Sequence, residues 1–450
     1  MKFGGTSVGT AAAVRRVCSL VKDRLRRDPV VVVSALGKTT DMLERAARID
    51  RVRASSLLAS LEKSTADTLR GVLGTAAGTV VQHARRVLAE AADLQSRHAD
   101  ESDQNAPSPL LDDLLGCGER ISSQFIAEAL RSHSVPAVHL DTRDLFVTER
   151  QHGGAAPLFG PTRDRLRPAV LREVGQGLVP VLGGFIARAE DGSPTTLGRG
   201  GSDLTASVTG AAVGAEEVQI WTDVDGVMTA DPSLVESAQS LPLLSLQEAA
   251  ELAYFGGRVL HPSTMLPAIE HDVPIRVLNS MRPASRGTLI VRNVPPGQGV
   301  VKSVVYKENI TLIDIHSTRM LMAHGFLARI FSIFDRHRTP VDMVSTSEVS
   351  VSLTVDSADR LPGILDDLSN IASVEAKPGK AIVCVVGDGI RYTLGIAARV
   401  FRALDGIRIR MISLGASRVN VGFVVDEEDL APAVRRVHGE FFPDQPGGQT

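Results

Sequence analysis

The chain has little of what marks several large classes of function. Its 450 residues include three cysteines, Cys18, Cys117 and Cys384, far apart and without metal-ligand spacing. That excludes a disulfide framework and a cysteine-built metal site, and so sparse and odd a set fits a reducing compartment. Aromatic residues make up only 4%, which argues against surfaces that stack on bases. Basic residues are not blocked together and the formal net charge is −3, so neither nucleic acid nor an anionic membrane is the expected partner. No apolar run approaches the ~20 residues of a membrane span, and the start lacks an apolar signal core. The expectation is a cytoplasmic protein. Two nucleotide signatures are also missing. There is no Gly-x-x-x-x-Gly-Lys-Ser/Thr, and no Gly-x-Gly-x-x-Gly follows a strand, so a P-loop and a dinucleotide fold are not supported.

What is present is a globular composition, 43% hydrophobic and 22% charged, in a chain long enough for two or three domains. Short apolar runs alternate with helical stretches to about residue 292. Pro29–Ser34, Leu178–Leu182, Val218–Trp221 and Pro274–Leu278 read as buried strands, and their separation by helices predicts a parallel sheet covered on both faces. Residues 41–132 read as helix-rich, with a polar break at Asp100 to Pro109. Ser245-Leu246-Gln247-Glu248 reads as a capping box, and Gly256-Gly257 as the stop of that helix. Val294-Pro295-Pro296-Gly297-Gln298-Gly299 reads as a linker. Beyond it the sequence repeats. Gly325-Phe326-Leu327-Ala328-Arg329 answers Gly395-Ile396-Ala397-Ala398-Arg399, and Ser347-Glu348-Val349-Ser350-Val351 answers Ser417-Arg418-Val419-Asn420-Val421, both at an offset of 395 − 325 = 70. Such a repeat predicts two strand–helix–strand–strand–helix–strand units of the ferredoxin-like kind.

The opening Lys2-Phe3-Gly4-Gly5-Thr6-Ser7 sets a lysine before a glycine pair and two hydroxyls, ahead of a helical run from Ala11 to Arg26. Glycines admit backbone N–H groups to a ligand, and a helix start favours anions, so the segment suits a polyphosphate. A plain turn would need the same residues. Ser34 to Asp41 follows a strand, and its hydroxyls suit a carboxylate or phosphate as well as a helix cap. Gly116-Cys117-Gly118-Glu119 places Glu119 between glycines and a helix, for an ammonium group or as a dipole partner. Gly198-Arg199-Gly200-Gly201-Ser202-Asp203 sets a bidentate cation among three glycines, with Asp203 opening a helix as a functional carboxylate or a cap. Thr222-Asp223-Val224-Asp225-Gly226 through Asp231 crowds three carboxylates, which favours a cation such as Mg²⁺ with nucleotide, or an acidic turn. Arg258 adds a cation after a helix.

These segments, in this order and over essentially the whole chain, resemble aspartate kinase of the amino-acid kinase superfamily, in its monofunctional, lysine-sensitive form. The resemblance implies an α/β fold: an amino-acid-kinase-like, mainly parallel sheet sandwiched by helices over residues 1–294, then two ferredoxin-like ACT units at 300–378 and 379–450. The first unit would be inserted in the second, with residues 300–308 completing it. The implied reaction moves the γ-phosphoryl group of ATP to the side-chain carboxylate of L-aspartate, with Mg²⁺ and no protein-built metal site. Lys2 and Asp203 would be catalytic. Ser34, Thr40, Glu119, Arg199 and Ser202 would bind substrate, and Gly4, Gly5, Ser7, Gly201, Thr222, Asp223 and Arg258 would face ATP. Met320, Val341, Asp342, Ser347 and Glu348 would bind an amino-acid effector, lysine and/or threonine. A homo-oligomer through the ACT units is expected. The sequence departs from the family in three ways. Only Met1 precedes Lys2, so the first strand is short or the true start lies upstream. Arg258 stands where lysine is usual. Ser233 and Ala323 replace a basic residue and a serine. The alternatives are a same-fold kinase for another small carboxylate, and an inert amino-acid-sensing ACT protein.

Overall fold

The computed structural model describes all residues except 102, 104, 105, 258, 259, 296–299, 318–323, 357, 358, 416 and 444–450. The chain forms two compact units that do not follow chain order. One comprises Met1–Val227, Pro242–Leu246 and Val259–Asn293, the other Met228–Leu241, Gln247–Arg258 and Val294–Thr450.

The first unit is built on an eight-stranded sheet in the order Ala137–Leu140, Val179–Gly183, Val31–Val33, Lys2–Phe3, Val218–Thr222, Ile275–Asn279, Thr288–Val291, Leu243–Ser245. The first six run parallel; Thr288–Val291 is antiparallel to Ile275–Asn279. Phe3, Val31, Val33, Val179, Val181 and Trp221 pack into one apolar core with helices Ala11–Lys22, Thr39–Ala47, Arg51–Leu73, Gly78–His98 and Pro109–Ser132. Phe3 and Trp221 stack there, ring centroids 6.1 Å apart. Successive strand residues point to opposite faces, so Lys2, beside Phe3, turns to the face covered by helix Gly201–Val213. Strand order reverses direction at Lys2–Phe3. The chain builds outward to Val31–Val33 on one side and to Val218–Thr222 on the other. Open α/β sheets bind ligands beyond the strand ends at such a point.

Two glycine contacts let helices lie this close. A Cβ on Gly184 would fall 2.6 Å from Ser202 Cβ, and one on Gly118 would fall 2.6 Å from Ala35 Cβ. Gly116 and Gly118 therefore lie inside helix Pro109–Ser132, whose start is capped by the Ser108 side chain with Pro109 in its first turn. This corrects the expectation that Glu119 opens a helix after a glycine turn. The glycines there are packing notches in the helix middle. A further correction concerns Gly5, which begins a four-residue helix, Gly5–Val8, directly after the strand. A small sheet of Val147–Thr148, Ile186–Ala189 and Pro194–Thr196 was not expected from the sequence.

The second unit holds a six-stranded antiparallel sheet in the order Val344–Thr346, Ser350–Val355, Ser303–His316, Ser373–Val386, Asn420–Asp426, Met411–Leu414. The two long strands serve both halves. Their pairing shifts register between Lys307 and Ile310 and again before Leu312, the kind of irregularity that bends a sheet. Thr311–His316 pair with Ser350–Val355, while Ser303–Lys307 pair with Ile382–Val386. The 70-residue repeat is visible in the backbone. Gly325 and Gly395, at φ +76° and +84°, each precede a helix, Phe326–Arg336 and Ile396–Ala403. Each half closes its own apolar cluster, one around Ile330, Leu353 and Ile364, the other around Val400, Phe423 and Val434.

Candidate active site

The strand Lys2–Phe3 delivers Lys2 to the switch point. Its ammonium lies 2.7 Å from Asp203 Oδ1 in the first turn of helix Gly201–Val213. The contact is a charge pair rather than an aligned hydrogen bond, since no donor is directed at Oδ1 among the described residues. Lys2 is 9% exposed, and its Nζ is 3.7 Å from where a Cβ on Gly4 would stand. A largely desolvated lysine over a glycine backbone keeps room beside a full positive charge. Gly5 fits tightly, because a Cβ there would meet Gly37 O at 2.7 Å, and Gly37 N–H donates to Gly5 O at 3.1 Å.

The loop after Val31–Val33 joins the same end of the sheet. Ser34 Oγ donates to Ser202 Oγ at 3.0 Å, which links the first hydroxyl expected at the substrate to the second. Ala35 N–H donates to Glu119 Oε1 at 3.0 Å, while Oε2 has no partner among the described residues. Glu119 is 3% exposed. Burial pushes its carboxyl up to about 8, against N–H donation from Ala35 and its own backbone and the charge of Lys2. A buried carboxylate with one bare oxygen is poised to receive a cation. Thr40 lies half-buried in the first turn of the neighbouring helix Thr39–Ala47.

Arg199 occupies the turn between Gly198 and Gly200, at φ +69° and +74°. Its side chain is exposed and pairs with no acidic group among the described residues, so its guanidinium fork is free for an anion. Gly200 is a left-handed cap without side-chain capping, and Gly201 opens the helix behind it. A Cβ on Gly201 would strike Phe185 at 2.8 Å.

On the other side of Lys2, Thr222 ends its strand and donates Oγ1 to Asp223 Oδ1 at 3.1 Å. Asn279 at the end of the next strand fastens this turn, donating to Asp225 Oδ1 at 2.7 Å. Ser7 is buried, and its hydroxyl is 3.4 Å from that of Ser280. Arg258 lies outside the described residues. Among the described residues no group of three or more His, Cys, Asp or Glu is placed to hold a metal ion. The structure therefore joins Lys2, Gly4, Asp203, Ser34, Ser202 and Glu119 through contacts at one end of the sheet. Arg199 and Gly201 enter it on the turn that leads to Ser202 and Asp203, and Thr222 and Asp223 on the adjoining strand. Sequence reasoning missed Gly184 and Asn279. The Gly183-Gly184 pair after a strand and an asparagine at a strand end were their signals.

The expected effector residues lie in the second unit. Met320 is outside the described residues. Val341 packs against the cluster around Ile330. Asp342, with its side chain 2% exposed, accepts from Lys307 Nζ at 2.7 Å and from Tyr254 OH at 3.1 Å, both at Oδ1. Its Oδ2 has no partner among the described residues. Burial raises the Asp342 carboxyl, and Lys307 lowers it in part. Lys307 also reaches Asp356 at 2.7 Å. Ser347 and Glu348 are exposed at the far end of strand Val344–Thr346. Asp342 and Ser347 therefore flank the strand Val344–Thr346 at its two ends.

Residues 1–279 match the model of the amino acid kinase family, and residues 383–441 that of the ACT domain. Over 98% of its length the chain is 36% identical to lysine-sensitive aspartokinase 3 of Escherichia coli strain K12, of which it covers 98%. It is likewise 36% identical, over 98% of its length, to chloroplastic aspartokinase 1 of Arabidopsis thaliana, covering 80% of that protein. The fold is similar to that of E. coli aspartokinase III in complex with aspartate and ADP, in the R-state, with a TM-score of 0.84, 34% identity and 98% and 99% of the two chains covered. The same protein with lysine and aspartate, in the T-state, gives a TM-score of 0.84 at 35% identity, with 98% of each chain covered. Among the described residues no helix is long and apolar enough to cross a membrane.

Proposed function

The chain belongs to the amino acid kinase family, as an aspartokinase, and we propose that it phosphorylates the side-chain carboxylate of L-aspartate with ATP. The observation that carries this reading is the pairing of two unmet groups, a buried carboxyl and a guanidinium. Glu119 offers one bare buried oxygen, and Arg199 offers a guanidinium without an anion. An α-amino acid supplies the complement to both, an ammonium for Glu119 and a carboxylate for Arg199. Held by its α-groups, aspartate extends its side-chain carboxylate toward Ser34, Ser202 and Lys2.

A carboxylate oxygen then bonds to the γ-phosphorus as the bond to the ADP oxygen breaks. Such a transfer asks for positioning and charge neutralisation rather than covalent help. Lys2 provides the positive charge, and Asp203 holds Lys2 Nζ in place. Gly4 and Gly5 let backbone approach the phosphates, Ser7 and Gly201 border them, and Thr222, Asp223 and Arg258 face the nucleotide. Mg²⁺ would ride on the phosphates, where it neutralises their charge. Asp223, beside Thr222 at the strand end, is a carboxylate that would adjoin such an ion.

The second unit is read as two ACT units, residues 300–378 and 379–450, that bind lysine and/or threonine. Residues 300–308 would complete the second unit, a reading supported by the pairing of Ser303–Lys307 with Ile382–Val386. The strand Val344–Thr346 ends the sheet with all three residues exposed. Antiparallel approach of a second copy there would set one chain's Asp342 near the other's Ser347 and Glu348, which supports a homo-oligomer. Three free, buried cysteines support a reducing, cytoplasmic setting. The test is acyl phosphate formation from L-aspartate, trapped as the hydroxamate, with ATP and Mg²⁺ and with lysine or threonine added. Hydroxamate that depends on both substrates is expected. None, under conditions where ATP binds, would favour an inert sensing protein.

A further inference from the structure

Seven residues before Glu119, close to two helical turns, the same helix carries a second buried carboxylate that the phosphoryl transfer does not use. Asp112 is 2% exposed. Its oxygens accept from two other segments: from one loop, His152 Nδ1 at 2.9 Å and the Gly153 N–H at 3.1 and 3.2 Å, and from a strand, the Thr196 hydroxyl. Thr196 ends strand Pro194–Thr196, three residues before Arg199, and its carbonyl accepts from Ala155 N–H at 2.8 Å. The loop between His152 and Ala155 also floors the arginine turn. A Cβ on Gly198 would stand 3.1 Å from Gly154 Cα and 3.3 Å from Gly153 O. One side chain thus ties the helix that holds Glu119 to the strand and the loop that hold Arg199.

We propose that Asp112 is a positioning residue that sets the spacing between Glu119 and Arg199, and so the fit of the substrate's ammonium and α-carboxylate. This rests on the aspartate kinase reading above. Asp112 touches neither residue. It acts through Thr196, Gly153 and the rigid helix between itself and Glu119. The two charged groups of an α-amino acid are a fixed distance apart, so slack in this tie falls on aspartate and spares the nucleotide.

The experiment measures initial rates of aspartyl hydroxamate formation by the full chain, varying aspartate at saturating ATP and then ATP at saturating aspartate. Asp112→Asn replaces one acceptor by a donor and is expected to raise the aspartate KM roughly tenfold or more, with the ATP KM within about twofold of the wild type. Thr196→Val removes one donor at constant shape and is expected to raise the aspartate KM several-fold, while Thr196→Ser restores it. If Asp112→Asn does not fold, the Thr196 pair decides. Equal rises in both KM values, an unchanged aspartate KM in folded variants, or no difference between Thr196→Val and Thr196→Ser overturns the inference. Wild-type turnover in the same assay checks the kinase reading itself. Its absence overturns both readings, and its presence with unmoved variants overturns this one alone.

Discussion

Glu119 and Asp342 are the same chemical device in two settings. Each is a buried carboxylate with one oxygen that has no partner among the described residues, and burial raises both. They differ in what the other oxygen holds. Glu119 Oε1 takes a neutral backbone N–H. Asp342 Oδ1 takes the ammonium of Lys307 and the hydroxyl of Tyr254. The first site has no cation of its own on its carboxylate and waits for one from the substrate. The second is already neutralised by the chain, so under the proposed reading an effector ammonium would compete with Lys307 or settle for Oδ2. A catalytic site can leave charge unmet because turnover supplies it continually. A regulatory site that must rest in one state is built with its charge balanced.

The sharpest way to break the catalytic half of this comparison is Lys2→Ala. It removes the only cation paired with Asp203 among the described residues, and turnover is expected to fall by roughly 10³-fold, as for loss of a preorganised charge at a transition state. Near-normal hydroxamate formation would show that Lys2 is only a structural partner. Next in size, Gly184→Ala puts a methyl 2.6 Å from Ser202 Cβ. The helix that carries Asp203 must shift, with an expected stability loss of ~1–3 kcal/mol and a fall in kcat larger than the change in melting temperature would suggest. Unaltered kcat would mean the helix position is not critical.

A pH test addresses Glu119 directly. Its folded carboxyl at about 8 lies above the ordinary 4.5, so the folded state holds a proton that the unfolded chain has lost. The stabilisation from that proton is complete below about 4.5 and disappears as pH rises through about 8. Unliganded Glu119→Gln is therefore expected to gain stability relative to the wild type across that window, and saturating aspartate should narrow the gap. Parallel melting curves at every pH would contradict the picture of an unpaired buried carboxylate. The smallest effect belongs to the regulatory cluster. Lys307→Gln relieves the internal competition at Asp342, and the lysine concentration for half-inhibition is expected to fall about tenfold, or ~1.4 kcal/mol. An unmoved midpoint would place the effector ammonium elsewhere.

Much of this was legible in the sequence because the motifs are loops at strand ends, where residue type follows directly from chemistry. Lys2, Ser34, Arg199, Ser202 and Asp203 could be named before any fold was known. The strands flanking them were legible as runs of valine, and the regulatory repeat as a fixed offset. What was not legible depends on packing between distant segments. Gly116 and Gly118 read as a turn, since isolated glycines usually mark one, yet Gly118 is there because Ala35 presses on the helix from 118 − 35 = 83 residues away in sequence. Asp112 belongs to no motif that the sequence singles out. Its three partners come from segments 40 or more positions along the chain. The assignment of Met228–Leu241 and Gln247–Arg258 to the second compact unit is likewise set by tertiary contacts that no local pattern announces.

The central claim is that Glu119 and Arg199 grip the two α-groups of aspartate, and the measurement that tests it most directly is the aspartate saturation curve of Arg199→Ala at saturating ATP. Arg199 is exposed and unpaired among the described residues, so its loss costs the fold little. The account predicts an aspartate KM raised by roughly two orders of magnitude, as for loss of a bidentate charged contact of ~1.5–3 kcal/mol, with the ATP KM unchanged. An aspartate dependence identical to the wild type would contradict it.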